Sequence, residues 1–308
     1  MRLGIDIGAT AIKSGLVDDF YNVSERKVRP TNALNAETLL SDLEEVCRSY
    51  LKRPDITSVG IGIPGRIDTE NGVLLSATNL AVQNLPLAAT LSRVLDVPVY
   101  VGNDANCAMF GEVYAGAGIS NPNLIMVTVG TGIGGGIRIN NKIYRGRNES
   151  AGEFGHMCIH LEGVRCRCGK PGCWEAYASV TALIRQTAEA AEMNPGSLLA
   201  RTVQENNSQI DGKTAFRAAK KGCPVAKELV NQYAYYLSVG INNLQKIFRP
   251  DMVVLAGAIM HEGKYLLSRI QKHIYFPENL SISKLYSQVG IIGAAILGEV
   301  YRNNEQFV

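Results

Sequence analysis

Four side chains that favour soft metal ions, His156, Cys166, Cys168 and Cys173, stand at the spacing H-x9-C-x-C-x4-C. A tetrahedral cation held by all of them would force the intervening chain to close on itself. Between the last two cysteines lie Gly169, Pro171 and Gly172, residues that let a backbone turn sharply enough to aim both sulfurs inward. Arg165, Arg167 and Lys170 are interleaved with the thiols, which argues against the alternative of a metal-free cluster packed as small hydrophobes. The spacing therefore predicts a structural Zn2+ site. Glu153 and Glu175 flank it as acceptor-only groups that a rigid anchor can aim at the hydroxyls of a polar ligand.

A chain of 308 residues is long for one core, so two domains are expected. With 46% apolar and 19% charged residues it has a globular composition and no disordered signature. The net charge is only +3, and the basic residues form no run interleaved with aromatics. Neither a nucleic acid nor a membrane partner is expected. The opening MRLGIDIGAT lacks the layout of a signal peptide, and no apolar run approaches the roughly 18 residues of a membrane helix. Of seven cysteines, Cys47, Cys107, Cys158 and Cys223 stay unassigned to the metal. Zinc thiolates beside spare thiols fit a reducing cytoplasm.

Leu3 to Ile7 and Ala11 to Val17 are short apolar runs around a Gly/Thr turn, the pattern of a hairpin, and 22–28 can add a third strand. Apolar residues at helical spacing predict a helix over 36–51, and another from Pro86 with Leu87, Leu91, Val94 and Leu95 inward. Strands are expected at 58–64 and 97–101, the latter delivering Asn103 and Asp104 to the head of a helix running from 105 to about 115. A second unit begins near Asn121: strands at 124–129 and 134–139, a tight turn at Asn140-Asn141, then helices at 175–191 and 225–248. A strand at 252–255, a helix over about 263–273 and a glycine-started helix in the tail complete an α/β pattern. The halves match in outline, LGIDIGATAIKSGLV against LIMVTVGTGIGGGIRI. Duplicated lobes with a cleft between them would bring their turns face to face.

Both turns suit phosphate. Gly8 permits close backbone approach, Thr10 offers a hydroxyl and an N–H, and Asp6 can hold Mg2+ directly or through water. Gly130-Thr131-Gly132 with Gly134 to Gly136 repeats the device in the second half. Neither is a P-loop, and neither is a dinucleotide fingerprint, since a strand follows each turn. Asp104, at a strand end, reads either as the N-cap of the next helix or as a base.

Taken in order, DIGAT, GIGIPGRID, ATNL, VGNDANCAMFGEVYAGAG, VGTGIGGGI, AGEFGH, the cysteine knuckle and VVLAGAI resemble the ROK family of repressors, open reading frames and sugar kinases over essentially the whole chain. The resemblance implies an actin-like ATPase (ribonuclease-H-like) α/β fold. Its N-terminal lobe is expected at 1–117, completed by a C-terminal helix at 290–308, and its second lobe at 118–289 with the knuckle at 156–173. It implies Asp104 as the base toward a sugar hydroxyl, and Asn103, Glu153, His156 and Glu175 as sugar ligands, with Asn79 and the Gly65 backbone contributing. His156 would serve metal and sugar together. Asp6, Gly8, Thr10, Lys13, Thr131 and Gly132 are implied at the phosphates or Mg2+, and Gly257 at the adenosine. Ala9 stands where the family usually has a second glycine, as in allose-kinase-like relatives, and is read as tolerated.

The implied activity is ATP-dependent phosphorylation of a hexose at O6. SATNLAVQNLPL resembles the glucokinase segment; kinases of N-acetylmannosamine, allose, N-acetylglucosamine or fructose are the alternatives. A sugar-sensing repressor, which would carry a helix-turn-helix ahead of the kinase-like body, is not expected, since the first strand is read from Leu3. A homodimer is expected.

Overall fold

The computed structural model describes residues 1–8, 11–31, 35–50, 53–77, 82–147, 151–205 and 209–302. It divides into two compact units, Met1–Leu124 with Gly136–Gly152 and Ser287–Val308, and Ile125–Gly135 with Glu153–Tyr286. Among the described residues no helix is long and apolar enough to cross a membrane.

The elements run β1 (Arg2–Ile7), β2 (Ala11–Val17), β3 (Val23–Pro30), α1 (Ala36–Arg48), β4 (Ser58–Ile63), β5 (Arg66–Asp68), β6 (Val73–Ala77), β7 (Val82–Leu85), α2 (Leu87–Leu95), β8 (Val99–Asn103) and α3 (Asp104–Ala115). There follow β9 (Leu124–Val129), β10 (Ile133–Ile139), β11 (Lys142–Ile143), α4 (Glu175–Ala178), α5 (Val180–Met193), α6 (Leu198–Glu205), α7 (Thr214–Lys220) and α8 (Pro224–Phe248). The chain then forms β12 (Met252–Ala256), α9 (Lys264–Gln271), β13 (Leu280–Ile282), α10 (Val289–Ala295) and α11 (Leu297–Arg302).

The first sheet has the order β3-β2-β1-β4-β8 and the second β11-β10-β9-β12-β13. Numbered within each sheet by sequence, both read 3-2-1-4-5. The similarity of the two half-sequences thus corresponds to one strand order used twice.

The first sheet is built by a strict alternation. Leu3, Ile5 and Ile7 of β1, Val59, Ile61 and Ile63 of β4, and Val99 and Val101 of β8 share one buried cluster with Leu39 and Leu43 of α1 and Leu87 and Leu91 of α2. The alternate positions include Gly4 and Gly60, which are register partners, and their face receives α10. A Cβ on Gly60 would stand 1.7 Å from Ala294 O, and one on Gly4 would stand 2.0 Å from Ile291 O. Period-2 alternation of large and absent side chains lets a helix lie directly on the strand backbones.

Several expected boundaries move for local reasons. Asn103, not Asp104, caps α3, its side chain accepting from Ala105 N and Asn106 N, so Asp104 becomes the first helical residue. The helix expected over 175–191 breaks at Ser179, whose side chain accepts from Ala182 N and starts a new helix. The tail helix is interrupted at Ile296. Val94 is 39% exposed rather than inward. The helix expected to reach 51 ends at Arg48, and residue 51 lies outside the described residues. The small sheet β5-β6-β7 and helices α6 and α7 were not anticipated. The turn at Asn140 and Asn141 has φ of 50° and 67°, as a two-residue hairpin turn demands.

Candidate active site and metal centre

In the first unit the acids gather at the ends of β1 and β8. Asp6 faces Lys13 across the β1–β2 ladder, and Lys13 Nζ lies 3.0 Å from Asp6 Oδ2. The start of α10 is pressed against the same carboxylate: a Cβ on Gly290 would fall 2.6 Å from Asp6 Cγ. Gly8 N donates to Ala11 O at 2.9 Å, and Thr31 Oγ1 donates to Gly8 O at 2.8 Å, closing the hairpin turn. Thr10 and Ala9 of that turn, and Asn79, lie outside the described residues.

Asn103 uses its side chain twice. Its Oδ1 accepts from the backbone of α3 at 3.0 and 3.2 Å, and one of its amide N–H groups donates to Gly65 O at 3.1 Å. The turn at Gly65, with φ of +132°, is thereby tied to the β8–α3 junction that carries Asp104. One helical turn on, the fully buried Cys107 thiol is pushed up by desolvation and further by the charges of Asp104 and Asp6. Both carboxylates therefore act on one small region of this unit.

In the second unit the glycine loop is fastened from several sides. Gly130 N donates to Gly132 O at 2.9 Å, Val180 N to Gly130 O at 2.8 Å, and Thr181 Oγ1 to Thr131 O at 2.7 Å. Glu175 Oε2 accepts from Ile133 N at 2.9 Å, and a Cβ on Gly132 would stand 2.3 Å from that oxygen. Only glycine lets the loop lie so close to Glu175. At the end of β12, Gly257 has φ of +110°, and a Cβ there would meet Val129 O at 2.1 Å. The Gly257 turn thus abuts the strand that leads into the glycine loop.

The expected metal ligands converge. One donor atom each from His156, Cys166, Cys168 and Cys173 lies within 4.8 Å of the others. Cys168 Sγ and Cys173 Sγ are 3.6 Å apart, and Cys166 Sγ is 3.7 Å from His156 Nδ1. A tetrahedron with Zn–S bonds of about 2.3 Å has edges of about 3.8 Å, so these two pairs stand near the spacing of a zinc site. Burial pushes up the thiols of Cys166 and Cys173, whereas backbone hydrogen bonding from Lys170 pulls Cys168 down. Buried thiols held so close favour a divalent cation that would neutralise them as thiolates.

The knuckle is shaped by Cys166 N donating to Lys170 O and Gly169 N donating to Cys166 O, at 2.9 and 3.0 Å. Gly169 and Gly172 have φ of +90° and +77°. The imidazole of His156 turns Nδ1 toward Cys166 and Nε2 toward Glu153, whose Oε2 is 3.9 Å away. Glu175 reaches both neighbours, with Oε1 3.8 Å from Cys166 Sγ and Oε2 on the glycine loop. It is the mechanical link between the knuckle and the loop.

Sequence reasoning missed the anchor beneath this centre. Trp174, the only tryptophan, is completely buried. Its Nε1 donates to Tyr236 O at 2.8 Å, and its ring lies over Gly240, where a Cβ would come within 2.1 Å of it. A lone tryptophan directly following a metal-ligand cysteine was the available signal. The contact of Gly290 with Asp6 had none, since it joins opposite ends of the chain.

The paired strand orders, together with structural likeness to a ROK family glucokinase, define an actin-like ATPase fold. The ROK family model matches residues 2–299, and the chain belongs to that family. A glucokinase of Streptomyces coelicolor is 32% identical over 96% of this chain and 97% of its own length. A ROK family glucokinase from Streptomyces griseus, solved in complex with glucose and AMPPNP, matches with a TM-score of 0.86 at 32% identity, covering 96% of this chain and 98% of that one. A xylose repressor of Caldicellulosiruptor bescii is 33% identical over 94% of this chain and 76% of its own length.

Proposed function

We propose that this chain is an ATP-dependent sugar kinase that phosphorylates the 6-hydroxyl of a hexose, with glucose as the substrate. The observation that carries the reading is similarity along nearly the entire length to a glucokinase solved with glucose and an ATP analogue. Phosphoryl transfer needs positioning, charge neutralisation and one base more than covalent chemistry. Asp104 is assigned as that base, taking the proton from the attacking hydroxyl. Its place at a capped strand-to-helix junction holds the carboxylate on rigid backbone.

Asn103, Glu153, His156 and Glu175 are assigned to the sugar hydroxyls, with Asn79 and the Gly65 backbone. Asp6, Gly8, Thr10, Lys13, Thr131 and Gly132 are assigned to the phosphates and their metal, and Gly257 to the adenosine. Mg2+, when bound with ATP, would neutralise charge on the transferring phosphoryl group.

Zinc is assigned to His156, Cys166, Cys168 and Cys173. Four protein ligands leave no open position, so its contribution is structural. With Nδ1 on the metal, His156 would present Nε2–H to a sugar oxygen beside Glu153, which makes the knuckle a scaffold for sugar recognition. A cytoplasmic homodimer completes the reading.

The test is a coupled assay of ADP release with ATP, Mg2+ and a panel of free hexoses and N-acetylhexosamines, ranked by kcat/KM. Glucose at the head of the ranking is expected; N-acetylmannosamine or allose at the head would correct the substrate. The repressor relative supplies a second reading. Operator DNA retarded by the protein in a gel shift, without ADP release, would favour that reading.

A further inference from the structure

Cys158 belongs to neither the metal set nor the sugar set, yet it lies inside the knuckle. Ile159 N donates to Gly172 O at 2.8 Å, and Trp174 N donates to Met157 O at 2.8 Å. These bonds flank Cys158 and Cys173 and register them as antiparallel partners. A pair framed in this way is of the non-hydrogen-bonded kind, with Cα atoms about 4.5 Å apart and both side chains on one face. That separation falls within the roughly 4.4–6.8 Å that a disulfide spans. Cys158 Sγ rests beside Gly172, the residue before Cys173, where a built Cβ would be 3.2 Å from the sulfur. Cys158 is exposed, whereas Cys173 is 1% exposed. The other cysteines outside the metal set, Cys47, Cys107 and Cys223, are buried.

We propose that Cys158 is an oxidation site through which the zinc knuckle is opened. Hydrogen peroxide, a two-electron oxidant, converts the Cys158 thiol to a sulfenic acid with release of one water. The Cys173 thiolate then attacks Cys158 Sγ, forming the S–S bond and expelling hydroxide. Two electrons pass from the sulfur pair to the peroxide, and the metal loses one of its protein ligands. Zinc leaves the three that remain. Sugar affinity falls with it, because His156 and Glu175 are held by the same knuckle. The inference rests on the zinc assignment made above.

The experiment uses the full-length protein as purified, with Cys158→Ser and Cys158→Val beside the wild type. Zinc content is measured before any oxidant, zinc release under peroxide is followed with a chromogenic chelator, and crosslinks are mapped by mass spectrometry without reduction. The wild type is expected to release zinc about tenfold faster than both variants, to yield a Cys158–Cys173 peptide pair, and to recover on thiol reduction with added zinc. Equal release rates in all three proteins, or crosslinks confined to Cys166, Cys168 and Cys173, would overturn the proposal while leaving the zinc assignment intact. A protein without zinc before oxidation would remove the assignment itself, and the switch with it.

Discussion

Gly290→Ala is expected to abolish most turnover while leaving the fold almost as stable as before. The added Cβ would stand 2.6 Å from Asp6 Cγ and 2.8 and 3.0 Å from its two oxygens. Against an ordinary carbon contact near 3.5 Å, the carboxylate must withdraw by roughly 1 Å. It can do so cheaply, because it ends a short side chain whose ion-pair partner among the described residues is the partly exposed Lys13. The cost therefore falls on reactive geometry. A displacement of about 1 Å in a positioning group costs about 10²-fold in rate, equivalent to about 2.7 kcal/mol of barrier. Gly60→Ala is the control. Its Cβ would stand 1.7 Å from Ala294 O, backbone of a buried helix that has nowhere to retreat, so its cost of about 3 kcal/mol appears in folding. Coupled ADP release gives kcat for each variant and thermal unfolding gives Tm. Wild-type turnover in Gly290→Ala, or a Tm loss matching that of Gly60→Ala, would refute the reasoning.

Asp104→Asn is expected to fold and bind sugar normally but to lose roughly 10²–10⁴ in kcat; sugar binding by calorimetry beside the coupled assay checks both halves. Cys168→Ser should lose metal and sugar affinity together, and metal loss with an unchanged sugar KM would remove the scaffold role of the knuckle. Trp174→Ala should destabilise the second unit by about 3–5 kcal/mol, read from denaturant midpoints. Asp211 is partly desolvated, which raises its pKa, but hydrogen bonds from Arg217, Thr214 and Lys213 N outweigh this and hold it below the usual range. Its folded pKa being depressed, its stabilisation is present at neutral pH and is lost as pH falls through that value. Half-exposed as the pair is, Asp211→Ala should cost under about 1 kcal/mol at pH 7, and the cost should shrink as the pH falls through the folded pKa. A Tm difference that persists in acid would contradict this.

The strands of the first sheet were legible from alternation, with Leu3, Ile5 and Ile7 on one face and Gly4 on the other; β9 and β12 were legible as short continuous apolar runs, whereas the three-residue β13 was too short to carry a pattern. The knuckle was legible because metal spacing is a local property of the chain. Helix ends were less so. Asn103 and Asp104 are both good caps, and only the backbone reveals that Asn103 takes the task while tying down Gly65. Ser179 sits inside a continuous helical pattern, and its hydroxyl breaks it. The sheet at 66–85 is short and its strand β7 exposes Gln83 and Asn84, so it carried no clear period. Glu175 was anticipated as a sugar ligand, but its bond to Ile133 N depends on a tertiary approach that no sequence window contains.

The most direct measurement is turnover of glucose by the purified, zinc-analysed protein with ATP and Mg2+, with the phosphorylated carbon identified by NMR. The account predicts glucose 6-phosphate and ADP in equal amounts, from a protein carrying one zinc per chain, with turnover nearly extinguished by Asp104→Asn. A zinc-free protein that releases no ADP with any hexose offered would contradict it.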